Sequence, residues 1–417
     1  MKRGLVWFTE DLRVDDNETL YRAIEENDEV LPVYFFEDFS KKYQLEMPRM
    51  GEQRKAFLVE SLQNLQRQLF GIGGNLLVIE GSPIDELIRI CQSFEIRKVY
   101  TKKQVGHEEK KVQSNVKQAL LNKGIDFETY STSTLYHPDD LPFSVRDIPM
   151  IFTKFRKLAE KEASIRKPFN AQTHLNTPFF ESGPLPDVKS NKPDWALGGE
   201  EAALARMKQF IWEHQAIRTY KETRDQLTGL DFSSKYACWL SLGCISPRRI
   251  YWEIKRFEHE VISNESTYWL VFELLWRDFF RFSFKKHPIA YFQLNGLGQQ
   301  AMYTDFDKCK FEKWTQGRTD ESLINAGMNE LRETGFVSNR MRQILASYWV
   351  FGMQQDWRYG AAWFEHCLVD YDVASNWGNW AYIAGVGNDN RGGREFNIEK
   401  QTQLFDKDGV YREIWLK

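Results

Sequence analysis

Five short apolar runs alternate with helical stretches over residues 1–130, and this alternation limits the fold more than any other feature of the chain. Segments 4–8, 30–36, 75–79, 98–101 and 125–130 are rich in β-branched and aromatic residues and read as buried strands. Helical stretches at 18–26, 52–69, 84–94 and 108–122 separate them. Strand–helix–strand crossovers are right-handed and short, so the order implies a doubly wound, parallel five-stranded sheet. Such a sheet invites a nucleotide-binding reading, yet the turn after the first strand, Thr9-Glu10-Asp11-Leu12-Arg13, has no GxGxxG. The Gly71-Ile72-Gly73-Gly74 run follows a helix and precedes a strand, which is the order of a helix C-cap and not of a phosphate loop.

The tryptophans divide the chain. Two of the 14, Trp7 and Trp195, lie in the first 200 residues, and all the others follow. Residues 131–199 break into polar and Pro-bearing pieces with one helical segment at 152–162, the pattern of a long connector. Beyond it the pattern is helical almost throughout, at 200–226, 247–257, 266–286, 323–334, 339–351 and 357–368. The expected organisation is an α/β domain over 1–130, a connector over 131–199 and an all-α domain over 200–417.

A balance of 56 Lys+Arg against 59 Asp+Glu gives a net charge of −3, which excludes a histone-like coat and confines any polyanion to a local patch. No apolar run approaches the ~18 residues of a membrane span, and no signal-peptide pattern opens the chain. Five widely spaced cysteines without CxxC imply reduced thiols and an intracellular, cytoplasmic setting. The 7 histidines lack ligand spacing, so no metal is expected.

Three stretches hold the candidate chemistry. Glu273, Trp276, Arg277 and Phe280 fall at i, i+3, i+4 and i+7 on one helix face, with Glu273 and Arg277 in the favoured order for an ion pair. Charges on an aromatic face need polar partners if buried, which a polar ligand would supply; the competing reading is a core stripe with a surface ion pair. Ser338 to Gln343 opens a second helix, with Asn339, Arg342 and Gln343 on one side and Arg340 turned away. Helix N-termini with arginine attract phosphate, although an ordinary capped helix with solvated arginines explains the same residues. Residues 370–382 crowd Asp370, Asp372 and Asn376 among large aromatics, a density unusual for a loop.

These stretches, together with Val6 to Asn17, Thr219 to Asp225, Ser233 to Tyr236 and Trp239 to Arg248, resemble the photolyase and cryptochrome family over nearly the whole chain. The DASH branch is the most similar, because Gln343 and Tyr382 stand where duplex-repairing members carry Met and Trp. The resemblance implies an α/β antenna domain and a helical domain that holds a U-shaped FAD. Tyr220 and the hydroxyls of Ser233 and Ser234, with the backbone of Lys235 and Tyr236, would hold the FAD phosphates. Glu273, Arg277, Asn339 and Arg342 would line the flavin and adenosine, Asp370 would pair with Arg342, and Asp372 would bind ribose or the flavin edge. Asn376 would face flavin N5, and Trp380 and Trp357 would open an electron-transfer chain whose third place is Thr304, beside Tyr303. Trp276 would stack on a flipped base, with Arg224, Arg340, Lys285 and Lys286 toward the strand, and Glu108 would bind a methenyltetrahydrofolate antenna. The activity implied is blue-light repair of cyclobutane pyrimidine dimers, preferentially in single-stranded DNA, by a monomer. The alternative is a blue-light photoreceptor or DNA-binding regulator without repair.

Overall fold

The computed structural model describes residues 1–36, 47–183, 185–298, 300–388 and 392–416. Strands β1 (Arg3–Phe8), β2 (Glu29–Phe36), β3 (Leu77–Glu80), β4 (Lys98–Lys102) and β5 (Asp126–Tyr130) form one sheet in the order β3-β2-β1-β4-β5. Every pairing is parallel, as the alternation implies. Helices α1 (Glu18–Glu26), α2 (Glu52–Gly71), α3 (Pro83–Ser93) and α4 (His107–Leu121) lie between the strands. Successive strand residues point to opposite faces. Leu5, Trp7, Leu31 and Val33 therefore enter one core with Leu87 and Leu120. Val6, Phe8, Val30 and Tyr34 enter another that runs on without interruption into the C-terminal helices. At the end of α2, Gly74 N–H donates to Leu69 O at 2.8 Å and Gly73 has φ +94, the C-cap expected from the glycine order.

The connector holds helix α5 (Phe152–Glu162) and is otherwise irregular. Its backbone polar groups find buried partners, as they must. Leu135 and Tyr136 N–H both donate to the Asp278 carboxylate at 2.9 Å, and Phe169 N–H donates to Asp16 at 2.8 Å.

The remaining helices are α6 (Glu200–Lys208), α7 (Tyr220–Thr223), α8 (Ala237–Ser241), α9 (Pro247–Glu260), α10 (Glu265–Lys286), α11 (Lys308–Thr315), α12 (Ser322–Thr334), α13 (Asn339–Ser347), α14 (Trp357–Cys367), α15 (Val373–Ile383), α16 (Ile398–Phe405) and α17 (Val410–Trp415). The single helix expected over 200–226 is broken, because α6 gives way to a wide turn and Gln215 adopts φ +48, a left-handed conformation that no α-helix continues through. Residues 373–383 form a full helix and not a loop, because Asp372 caps it by accepting Ser375 N–H at 2.9 Å. Among the described residues no helix is long and apolar enough to cross a membrane, and no cluster of His, Cys, Asp or Glu could hold a metal ion. All five cysteines are free.

In open α/β sheets ligands usually sit at the switch point beyond the strand ends, here between β1 and β4. That place is filled by the protein's own side chains. Lys102 is 2 % exposed and donates to Glu10 at 2.5 Å, and Gln104 donates to the same carboxylate at 3.1 Å. The loop after β1 then grips the helical half, with Leu12 N–H on Leu242 O at 3.1 Å. Gly243 permits this approach: its φ is +66, and a Cβ there would lie 2.3 Å from Glu10 O. Gly243→Ala is expected to cost at least about 2 kcal/mol through backbone strain and the lost approach. An unchanged denaturation midpoint would show that the loop can retreat at no cost.

Candidate active site

Helix α10 begins with a reciprocal cap, Asn264 accepting from Thr267 N–H while the Thr267 hydroxyl accepts from Asn264 N–H. It spans 22 residues, about 33 Å at 1.5 Å per residue, through the middle of the helical half. One face meets the core and the connector. The other presents Glu273, Trp276, Arg277 and Phe280 to a cavity of about 640 Å³. The N-terminal turns of α13 bring Asn339, Arg340, Arg342 and Gln343 to the same cavity, and α15 with its cap brings Asp370, Asp372, Asn376, Trp380 and Tyr382. Tyr220, Arg224 and the Ser233-Ser234-Lys235-Tyr236 run complete the wall. The candidate FAD residues and, of the DNA candidates, Arg224, Trp276, Arg340, Gln343 and Tyr382 thus share one cavity, although they come from segments up to 162 positions apart along the chain.

The pairings within the wall differ in part from expectation. Arg342 and Asp370 form the expected pair, a fork with contacts of 3.0 and 2.9 Å. Glu273 does not pair with Arg277. Arg224 reaches it first, at 2.6 Å. Arg277 instead donates to the carbonyls of Ser133 and Leu240 and lies 3.6 Å from Asp372. Arg340 is not turned away, because its i+3 neighbour Gln343 accepts from it at 3.1 Å. Asp372 is taken up by its own helix cap and by Arg281, a residue the sequence reading left out. Burial alone would push the Asp372 carboxyl up, but Arg281 and Arg277 hold it well below the usual range.

Trp276 stacks one face on Phe152 at 3.7 Å and 13°, and meets Tyr382 edge-on at 6.0 Å. Phe152 comes from the connector, which no helical spacing could announce. Tyr382 also accepts a hydrogen bond from Arg394, another wall residue missed in the sequence. Two expected residues lie outside the cavity. Trp357 donates its indole N–H to Leu294 O at 3.0 Å and makes its ring contact with Trp377 at 5.8 Å. Glu108 stands half-buried at the start of α4, paired with Arg49. Lys285 and Lys286 do not line the cavity either; Lys286 donates to Ile148 O at 3.3 Å, and Lys285 is crowded by Lys103, Arg281 and Lys110.

The wall fits a nucleotide with a diphosphate. Lys235 has φ +63 and Tyr236 returns to the right-handed region at φ −61, a left–right pair of the kind that forms an anion-binding concavity, in which Tyr236 N–H makes only a long 3.4 Å contact to the Ser234 hydroxyl. The Ser233 and Ser234 hydroxyls flank it. Asn376 donates its amide to Ala361 O at 3.0 Å, and because a carbonyl can only accept, Oδ1 is the atom left for a ligand.

A doubly wound domain fused to helices around an aromatic, arginine-walled cavity is the frame of a protein that binds a nucleotide-like cofactor. The family models for DNA photolyase and for the FAD binding domain of DNA photolyase match residues 4–174 and 269–417. Cryptochrome DASH of Synechocystis sp. is 43 % identical over 99 % of this chain and 87 % of the relative. A second relative, Cryptochrome DASH, chloroplastic/mitochondrial, of Arabidopsis thaliana is 42 % identical over 99 % of this chain and 75 % of its own length. The crystal structure of the Synechocystis cryptochrome superposes with a TM-score of 0.96 at 42 % identity, covering 100 % of this chain and 89 % of that one. A bacterial class III photolyase from Agrobacterium tumefaciens gives 0.86 at 28 % identity, covering 100 % and 86 %. The chain belongs to the photolyase and cryptochrome family, in its DASH branch, and its cofactor is FAD.

Because the Asp372 carboxyl is depressed in the folded protein, its stabilising effect is full above the unfolded value of ~3.9 and is lost as pH falls through the folded one. Asp372→Asn is therefore expected to lower stability at neutral pH and to flatten the acid limb of the stability profile. Parallel profiles for parent and variant would remove Asp372 as the anion that holds Arg277 and Arg281 together.

Proposed function

We propose that the chain is a deoxyribodipyrimidine photo-lyase-type enzyme that splits cyclobutane pyrimidine dimers, preferentially in single-stranded DNA. The observation that carries this reading is Trp276, an aromatic ring beside the FAD wall with one face already stacked on Phe152. Bound FAD supplies the light-driven electron chemistry. The protein orients the dimer and excludes water. A base can stack only on the remaining face of Trp276, and such stacking is worth about 1–3 kcal/mol per base. Extruding a base from duplex costs a few kcal/mol, a general figure for base-flipping enzymes, photolyases among them. One free stacking face leaves duplex extraction close to balance, whereas a single strand escapes most of the cost. Asn376 Oδ1, fixed by the Ala361 hydrogen bond, would accept a proton-bearing ring nitrogen and so hold that proton in place.

The electron route we assign starts at Trp380. Its ring contacts are Phe364 at 5.0 Å and Trp314 at 6.3 Å; Trp314 meets Trp349 at 4.9 Å, and Phe311 links Trp349 at 5.6 Å to half-buried Tyr359 at 6.5 Å. Tyr303, which neighbours the third place of the family's chain at Thr304, has its ring contact with Phe351 at 6.3 Å. Glu108, remote from the cavity, remains our choice for a methenyltetrahydrofolate antenna at a separate site.

The test is to illuminate chemically reduced holoprotein with dimer-containing single strands and with the same sequence in duplex, and to quantify restored pyrimidines. Repair confined to single strands is expected, and repair of neither would leave the photoreceptor reading in its place. For the route, Trp314→Phe is expected to slow light-driven reduction of the bound cofactor while Tyr303→Phe leaves it unchanged, and both should repair normally after chemical reduction. Parent-like photoreduction in Trp314→Phe would return the route to Trp357.

A further inference from the structure

Two part-exposed arginines of the cavity wall, Arg224 and Arg340, are already engaged by carboxylates of the chain itself. Arg340 Nη2 meets Asp225 Oδ2 at 2.7 Å, while its guanidinium lies over the Phe405 ring at 4.9 Å. Arg224 meets Glu273 at 2.6 Å and lies 5.4 Å over Trp269. Neither pair is sunk in the core. The side chains of Arg340 and Asp225 keep 19 % and 31 % of their exposure, and those of Arg224 and Glu273 keep 23 % and 29 %. Pairs this open add little to stability, so the carboxylates matter more for what approaches than for the fold. A phosphate that approaches Arg340 through its remaining donors lies beside the negative charge of Asp225, well within the screening length of physiological salt.

That repulsion depends on how densely the approaching strand is charged. Duplex DNA carries one negative charge per about 1.7 Å of axis, and each of its strands one per about 3.4 Å. A fixed carboxylate beside Arg340 therefore meets about twice the charge when a duplex approaches as when a single strand does. We infer that Asp225, supported by Glu273, is a specificity-determining residue that holds Arg340 back and disfavours duplex DNA at the cavity more than single strands. The inference rests on the DNA reading above and adds an electrostatic cause for strand preference beside the stacking one. Asp225 lies just beyond α7, outside the cavity wall, and acts through Arg340. It is a positioning residue, not a catalytic one.

The experiment measures binding of a fluorescent single-stranded oligonucleotide, and of its duplex, to FAD-loaded parent, Asp225→Asn and Asp225→Glu across a salt series. Asp225→Asn is isosteric and leaves the fold intact by design; matching melting curves confirm that. It is expected to bind duplex about five-fold and single strands about two-fold more tightly at low salt, the range an exposed ion pair allows. Both gains should shrink toward none at high salt, and Asp225→Glu should behave as the parent. A purely structural role would produce no gain that salt abolishes. Equal tightening of both forms, no tightening, or a gain that survives high salt overturns the inference while parent binding leaves the DNA reading standing. A parent protein that binds neither form overturns that reading, and the inference falls with it.

Discussion

The guanidinium of Arg13 fixes how the two halves of the molecule meet. It is 1 % exposed and has no carboxylate within ion-pair distance among the described residues, and it donates instead to the carbonyls of Gly243 and Asp16 at 2.9 Å and of Thr132 and Asp15 at 3.0 Å. A buried cation left unsatisfied costs several kcal/mol, so the β1 loop, the connector and the turn before α9 must all arrive together. The adjacent Asp16 carboxylate completes the junction, accepting Arg248 at 2.6 and 3.0 Å, the Ser246 hydroxyl and Phe169 N–H. Ser246 is also the cap of α9, and α10 follows that helix. The face that lines the FAD cavity is thereby held at a set position relative to the sheet. Burial of this pair says little about net stability; its consequence is register, because the groups that satisfy it come from separate segments that must be aligned at once.

This explains why the Thr9 to Asn17 loop looks like a ligand loop and is not one. Its polar residues sit where a doubly wound fold would bind a nucleotide, but their partners are Lys102, Gly243 and Arg248 from the protein itself. Loops full of charge are read most easily as functional when the partner that neutralises them lies more than two hundred residues away.

Local periodicity made the sheet and most helices legible, since strand alternation and helical spacing are properties of neighbouring residues. The face of α10 was legible for the same reason. What spacing could not reveal is which residue arrives from elsewhere. Glu273 and Arg277 have good i, i+4 order, yet Arg224 from 49 positions upstream takes the glutamate and Asp372 approaches the arginine. Phe152 covers Trp276 from the connector. The break at Gln215 escaped notice because a non-glycine residue in left-handed geometry leaves no sequence signal. Residues 373–383 were obscured by Asn376, Gly378 and Asn379, poor helix formers that hold only because Asp372 caps the first turn and aromatic packing secures the rest.

Four arginines of the cavity wall follow one rule, and Lys235 departs from it. Arg224, Arg277, Arg340 and Arg342 are each matched to a carboxylate before any ligand arrives, and for Arg277 and Arg342 this orients the side chain in advance. Lys235 has no carboxylate within ion-pair distance among the described residues; its amine lies over the rings of Phe232 at 3.4 Å and Phe336 at 4.7 Å. Burial pushes that amine down to about 7, so near neutral pH its charge responds to what stands beside it. A diphosphate seated in the Lys235 and Tyr236 concavity would favour the protonated form. If phosphates sit there, as we propose, that end of the cavity needs no permanent unpaired cation among aromatic rings, since the ligand itself would raise the charge beside it.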